Sequence, residues 1–312
     1  MSDIKVIERI IKHHSSLFGN ASVTDISVFE TASFNMIFFF QCGSRSYVLK
    51  VLKKDAKKEF QVMKEAEKHI AVPSALSYGE IDDDEYLLME RAQGKDAQTL
   101  LNTMDKIKRA GFVHYAACIL AKLHRSTLNI QKPDSIPISN HSLVDDLNKT
   151  LTRLGVNDWS GISTLKAMEP RVPDETCLAH GRFFPTNLLL DKSGISCVID
   201  WAASTWSSPL IDLGRTLFVF SSLGLDASLF LRSYLDERFK LVITANTNNN
   251  SVKSPDDIIP LLPFYETYAA IEFYIFGIKM NQDPKLYDVL HSPQYAWLIK
   301  SIQAADTIAG KL

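Results

Sequence analysis

Three residues of one short segment have the types and spacing to work on a phosphate-bound metal. In CLAHGRFFPTNLLLDKSGISCVIDW, His180, Asn187 and Asp200 surround two apolar runs, Leu188 to Leu190 and Cys197 to Ile199. A Lys192-Ser193-Gly194 turn separates the runs, and the pattern predicts a β-hairpin. An Asn and an Asp presented from opposite arms of a hairpin can give two oxygen ligands to one Mg²⁺, whose other ligands would be nucleotide phosphates and water. In isolation Asn187 equally suits a turn and Asp200 a strand-terminal cap.

The elements that must position these residues fall into two groups. Ile4, Ile7, Ile10 and Ile11 recur at helical spacing and predict an amphipathic helix over about the first 17 residues. The β-branched and aromatic runs ASVTDISVFE, NMIFFFQC and SYVLKVL predict a small antiparallel sheet, with a turn at Cys42-Gly43-Ser44-Arg45. The charged stretch from Lys53 to His69 carries Phe60, Met63 and Ala66 on one stripe, as a surface helix does. Two further strands, ALSYGEI and EYLLMER, flank an acidic turn. From about Asp96 the pattern becomes helical: Thr103 to Leu128, Leu143 to Leu154, and three long apolar-rich segments after Pro209. The polar stretch Asn246 to Ser251 reads as a loop.

Composition narrows the partners. At 312 residues, 46% hydrophobic and 22% charged, the chain matches a folded globular protein of one two-lobed domain or two small ones. Its 34 Lys and Arg against 36 Asp and Glu leave a net charge of −2, which disfavours nucleic acid or an anionic membrane surface as partner. Four scattered cysteines form no CxxC pair, so neither a zinc site nor a disulfide framework is expected and a reducing, cytoplasmic setting is. No run reaches the roughly 18 apolar residues of a membrane span. Only 13 glycines occur, none in GxG spacing. That excludes the Rossmann fingerprint and the Walker A loop, both of which need glycines where backbone meets phosphate.

Taken in order, Tyr47-Val48-Leu49-Lys50, Glu59, Val72-Pro73, Leu87-Leu88-Met89-Glu90, Leu120 to His124, the segment from His180 to Asn187, Val198-Ile199-Asp200-Trp201, and Pro209 with Asp212-Leu213 resemble the aminoglycoside phosphotransferase-like family, small-molecule relatives of protein kinases. The resemblance implies an α+β, two-lobed protein-kinase-like fold: a small antiparallel-sheet N-lobe with one helix over residues 1–92, and a mainly helical C-lobe over residues 93–312. It implies ATP and Mg²⁺ as cofactors and a small-molecule hydroxyl as acceptor. Lys50 would bridge the α- and β-phosphates and Glu59 would orient it. The turn Thr31 to Asn35, with the Ser33 hydroxyl, would cover the phosphates. Met89, Glu90, Arg91 and Ala92 would form the adenine-binding hinge. Asn187 and Asp200 would hold the metal, Asp212 would brace the catalytic loop from behind, and His180 would be a structural histidine of that loop.

One position departs from the family. Two residues after the histidine the family carries an aspartate that accepts or orients the proton of the attacking hydroxyl; here it is Arg182. A guanidinium cannot act as a base at any relevant pH. The exchange swings the local charge by two units, each interacting by roughly 3 kcal/mol at about 6 Å and an effective dielectric of about 20. Two functions follow from these residues: an ATP-dependent small-molecule kinase of impaired or atypical activity, or an inactive, pseudokinase-like nucleotide-binding or interaction protein. Tyr268 and Glu272, four apart on one helix face, suit either an amine-binding pocket or the core. Trp201 and Trp206 suit either the cleft mouth or the packing beneath it. The sequence carries no signal for oligomeric state.

Overall fold

Alternating side chains on the strands near the N-terminus build a sheet with two different faces. In the computed structural model, β1 (Val23–Glu30), β2 (Met36–Cys42), β3 (Arg45–Leu52), β4 (Ala75–Ile81) and β5 (Asp84–Glu90) form an antiparallel five-stranded sheet in the order β1-β2-β3-β5-β4. Residues 3–18, 21–30, 36–128, 142–156, 161–169, 175–240, 254–282 and 296–309 are described, with 130, 132–134 and 136 between the third and fourth of these stretches. The segment Asn246 to Ser251 and the turn Thr31 to Asn35, Ser33 included, lie outside the described residues.

On β3, Tyr47, Leu49 and Val51 point to one face, with Phe38 and Phe40 of β2 and Leu88 of β5. That face is covered by Ile7 and Ile10 of α1 (Asp3–His13) and Phe18 of α2 (Ser15–Phe18). The period of two necessarily turns Lys50 to the other face, towards α3 (Ala56–Ala66). The buried stripe of α3 is Ala56, Glu59, Val62, Met63 and Ala66, so a carboxylate sits within an apolar seam. Phe60 is only half-buried.

The rest of the chain is mainly helical. It contains α4 (Ala97–Leu101), α5 (Lys106–Ser126), α6 (Leu143–Arg153), α7 (Gly161–Met168), α8 (Pro209–Ser222), α9 (Ala227–Phe239), α10 (Pro255–Ile258), α11 (Leu262–Gln282) and α12 (Ala296–Ala309). Among the described residues four long helices therefore follow Pro209 where periodicity suggests three segments. Gly224, at φ +70°, takes the left-handed turn that ends α8, and Asp226 caps α9 by accepting from Leu229 N. Helix α5 begins three residues later than its pattern suggests because Asp105 accepts from Lys108 N at 2.8 Å and fixes the first turn there.

The expected hairpin is β8 (Leu188–Asp191) with β9 (Gly194–Val198), and the two-residue β6 (Lys95–Asp96) adds a third strand to it. A two-stranded sheet joins β7 (Cys177–Ala179) to β10 (Thr205–Ser207). Neither β6 nor β7 is long enough to show a strand period. One hydrophobic cluster runs from Leu52, Val62 and Met63 through α5 and β7 to Ile275 of α11. It places the hairpin against both the sheet and the helices. Among the described residues no helix is long and apolar enough to cross a membrane, and the four cysteines are free.

Candidate active site

The strand and helix that meet beside the hairpin bring Lys50, Glu59 and Asp200 together. Lys50 Nζ donates to both carboxylate oxygens of Glu59, at 2.9 and 3.0 Å, and to Asp200 Oδ1 at 3.2 Å. Burial alone would lower the Lys50 pKa, but the two carboxylates outweigh it and hold the ammonium charged. Lys58 of α3 donates to the Ala202 carbonyl at 3.2 Å, so α3 is tied to the segment after β9 at a second point. Asp200 has φ +63°, a left-handed conformation that Asp tolerates better than most residues and that turns the chain sharply out of β9.

The loop from His180 to Asn187 is held from below. Asp212 accepts from His180 N at 2.6 Å and from Gly181 N at 2.9 Å. It sits in the first turn of α8, where Ser208 caps the helix and Pro209 starts it, and where the helix dipole favours a carboxylate. Burial acts to raise the Asp212 pKa, yet the hydrogen bond from His124 and the loop N–H groups bring it below the usual carboxylate range. Gly181 has φ +83°, and a Cβ there would stand 2.5 Å from the Ala203 carbonyl oxygen. No other residue fits between His180 and Arg182.

Both ring nitrogens of His180 are used inside the loop: Nε2 donates to the Ile199 carbonyl at 3.0 Å, and Nδ1 accepts from Arg182 N at 3.2 Å. The ring packs edge-on to Trp201 at 4.6 Å, and burial keeps it neutral by lowering its pKa. It orders the loop and has no free nitrogen for a substrate proton.

Arg182 is more than half exposed, and its Nη1 lies 3.9 Å from Asp200 Oδ2. Asn187 Nδ2 donates to the Arg182 carbonyl at 2.9 Å. Burial would raise the Asp200 pKa, but Lys50 and Arg182 together hold it below the usual range. The side-chain oxygens of Asn187 and Asp200 have the hard-donor chemistry of a Mg²⁺ site. The charge around them does not fit one: each oxygen of Asp200 already faces a protein cation. The metal role expected for Asn187 and Asp200 thus meets a conflict created by Arg182.

Met89 is buried in β5, and the next two N–H groups are used by the sheet, Glu90 N donating to Ser74 O and Arg91 N to Ser46 O, both at 2.9 Å. The Arg91 guanidinium lies over the Phe39 ring at 4.7 Å. Ala92 is the second residue after β5. A recess of about 310 Å³ near these residues is lined by Val72, Pro73, Ser74, Glu90, Ser196 and Cys197 among others. Arg91 and Ala92 line it as well, and Lys50, Glu59 and Asp200 do not.

Several features escape the sequence. His124 donates or shares its Nε2 proton with Asp212 Oδ2 at 3.2 Å, and its Nδ1 meets the Tyr234 hydroxyl at 2.8 Å. The only sequence signal for this brace is a histidine among the buried residues of an otherwise apolar helix face. Glu272 does not await an amine: Arg215 donates to its two oxygens at 2.6 and 2.5 Å, and Tyr268 donates to it at 3.2 Å. Trp201 and Trp206 are buried, with Trp201 Nε1 bonded to the Val198 carbonyl at 3.0 Å. They pack beneath the cleft.

Residues 26–239, more than half of the chain, match the family model described as the phosphotransferase enzyme family. The chain belongs to that family. Its curated relatives include acyl-CoA dehydrogenase family member 11 of Rattus norvegicus, 28% identical over 257 residues, which cover 70% of this chain and 31% of the relative. The Mus musculus counterpart is 26% identical over 244 residues with the same coverage. The chain thus spans about a third of the length of these relatives. Among solved structures, a putative aminoglycoside phosphotransferase of Ralstonia eutropha JMP134 superposes with a TM-score of 0.68 at 16% identity, over 98% of this chain and 96% of that one. A thermostable mutant aminoglycoside phosphotransferase in complex with ADP and hygromycin B gives 0.63 at 19% identity, over 96% and 98%. At such identities the likeness is one of fold, and the fold of this chain is the two-lobed, protein-kinase-like α+β fold.

Proposed function

We propose that this phosphotransferase binds ATP between an N-lobe of residues 1–92 and a C-lobe of residues 93–312, in a cleft of the kind that transfers the γ-phosphoryl group to a small-molecule hydroxyl, and that Arg182 impairs the transfer step. The observation that carries the reading is Lys50, bonded at once to Glu59 and Asp200, a cation held in place where the cleft closes. The crystallisation of a structural neighbour with ADP supports the nucleotide. In this reading Lys50 takes the α- and β-phosphates, Glu59 keeps it oriented, and the Met89 to Ala92 segment receives the adenine. Asn187 and Asp200 face the phosphates from the hairpin. Asp212 and His180 hold the loop that presents position 182.

Transfer through a loose transition state depends mainly on positioning and charge neutralisation. Arg182 supplies charge but cannot receive the acceptor's proton. A second reading, nucleotide binding with no transfer, is favoured by its position beside Asp200. Thermal shift with ATP tests the first step, with stabilisation expected. Turnover on a panel of hydroxyl metabolites then separates the two readings. Arg182→Asp is expected to exceed the unsubstituted protein by about a hundredfold or more, the usual contribution of a positioned proton acceptor. Absence of any ATP stabilisation in both proteins would sink the nucleotide reading.

A further inference from the structure

We propose that Arg182 takes over the charge role of a divalent cation in this cleft, so that a nucleoside triphosphate binds here without a metal. The proposal rests on the nucleotide reading above and deepens it. Position 182 and Asp200 are neighbours, with Arg182 Nη1 at 3.9 Å from Asp200 Oδ2 while Lys50 Nζ lies 3.2 Å from Oδ1. Both oxygens of the one carboxylate that would ligate a metal are therefore already opposed by cations. With an aspartate at 182, three carboxylates would face one lysine in this cluster, and a tetra-anionic triphosphate would need divalent charge to enter. With arginine, Lys50 and Arg182 balance Glu59 and Asp200, which moves the local charge by the same two units that one divalent ion supplies.

Geometry points the same way. A divalent ion of the Mg²⁺ kind needs a carboxylate oxygen within about 2.1 Å and a complete octahedral shell. A guanidinium 3.9 Å from that oxygen repels the ion. The same guanidinium is well suited to phosphate oxygens, which it can meet with two parallel N–H donors. More than half of its side chain is exposed, so it can turn from Asp200 to an entering phosphate. Its backbone is fixed meanwhile, because its N–H donates to His180 Nδ1 and its carbonyl accepts from Asn187. Lys58, tied to the Ala202 carbonyl at 3.2 Å, adds a third cation near the same segment.

Titration calorimetry with ATP, in EDTA and in excess MgCl₂, tests this on the unsubstituted protein, Arg182→Asp and Arg182→Gln. The expected result is that the unsubstituted protein binds ATP in EDTA with a dissociation constant within about threefold of that in MgCl₂. Arg182→Asp should bind at least tenfold to a hundredfold more weakly in EDTA, the equivalent of one lost charge-assisted contact, and should regain affinity with Mg²⁺. Arg182→Gln, which removes both the charge and the repulsion of a divalent ion, should weaken binding in EDTA by less than Arg182→Asp does and should also regain affinity in Mg²⁺. Binding by the unsubstituted protein only in MgCl₂ would overturn the proposal while leaving the nucleotide reading intact. Equal binding of Arg182→Asp and the unsubstituted protein in EDTA would do the same. No binding by any of the three under either condition brings down the nucleotide reading itself, and this proposal with it.

Discussion

Lys50 faces two carboxylates at once, those of Glu59 and Asp200. Its removal leaves the Glu59 carboxylate in an apolar seam and Asp200 with one cation fewer. Breaking a buried ion pair from one side costs about 3–5 kcal/mol, so Lys50→Met should lower unfolding free energy by about that amount in urea titration. The double variant Lys50→Met/Glu59→Gln should recover part of the loss, because the orphaned charge is gone. The two buried histidines make a separate prediction. Burial lowers the pKa of both His124 and His180 below the ordinary value. Their neutral forms therefore stabilise the fold fully above the unfolded-state pKa of about 6.5, and that stability is lost as pH falls below it. A histidine that stays neutral while the unfolded chain protonates loses about 1.4 kcal/mol over the first pH unit. The protein should be less stable at pH 5.5 than at pH 8 by at most about 3 kcal/mol, and His124→Gln should flatten that dependence. An unchanged urea midpoint across this range would count against the neutral His124–Asp212 brace.

At the scale of elements, the cleft depends on how closely α8 approaches α11. A Cβ on Gly214 would come within 2.7 Å of the backbone of Tyr265, so the helices must separate to accept even alanine. Gly214→Ala should cost about 1–3 kcal/mol by overpacking, seen as a lower thermal midpoint. Because Asp212 lies on the same helix, the displacement should also weaken ATP binding more than an equally destabilising change on α12. Much of this arrangement is legible in the amino-acid order and some is not. Lys50 on a strand and Glu59 in a helical stripe are readable because strand and helix periods fix which way each side chain points. The hairpin around Gly194 is readable from two short apolar runs and a turn. The brace from Tyr234 through His124 to Asp212 is not, since its members lie 110 and 88 residues apart and nothing local pairs them. The Arg215–Glu272 ion pair is hidden for the same reason. A single carboxylate next to a tyrosine on α11 looks available until the partner on α8 is seen. The burial of Trp201 likewise follows from packing between lobes, which periodicity does not report.

At the scale of the whole molecule, the question is whether the lobes act as one body. The main hydrophobic cluster joins Leu52, Val62 and Met63 of the sheet-and-helix region to residues as distant as Ile275. Polar contacts cross the same boundary, with Val198 N donating to Ala71 O at 3.0 Å, Lys58 to Ala202 O at 3.2 Å, and Lys50 to Asp200 at 3.2 Å. A continuous core with such ties leaves no plane along which one lobe can melt while the other stays folded. Scanning calorimetry should therefore show a single transition, although the chain spans only about a third of the length of its curated relatives. A ligand seated across the boundary stabilises everything that must unfold with its site. At a hundredfold excess over its dissociation constant that amounts to about 2.7 kcal/mol. For an unfolding entropy of about 2.1 cal/mol/K per residue over 312 residues, the midpoint should rise by roughly 4 °C. Lys50→Met should abolish the rise, since it removes a cation from the cleft as well as a tie between the lobes. Two resolved transitions, with ATP moving only one of them, would show that the shared core does not couple the lobes and that the nucleotide rests on one of them alone.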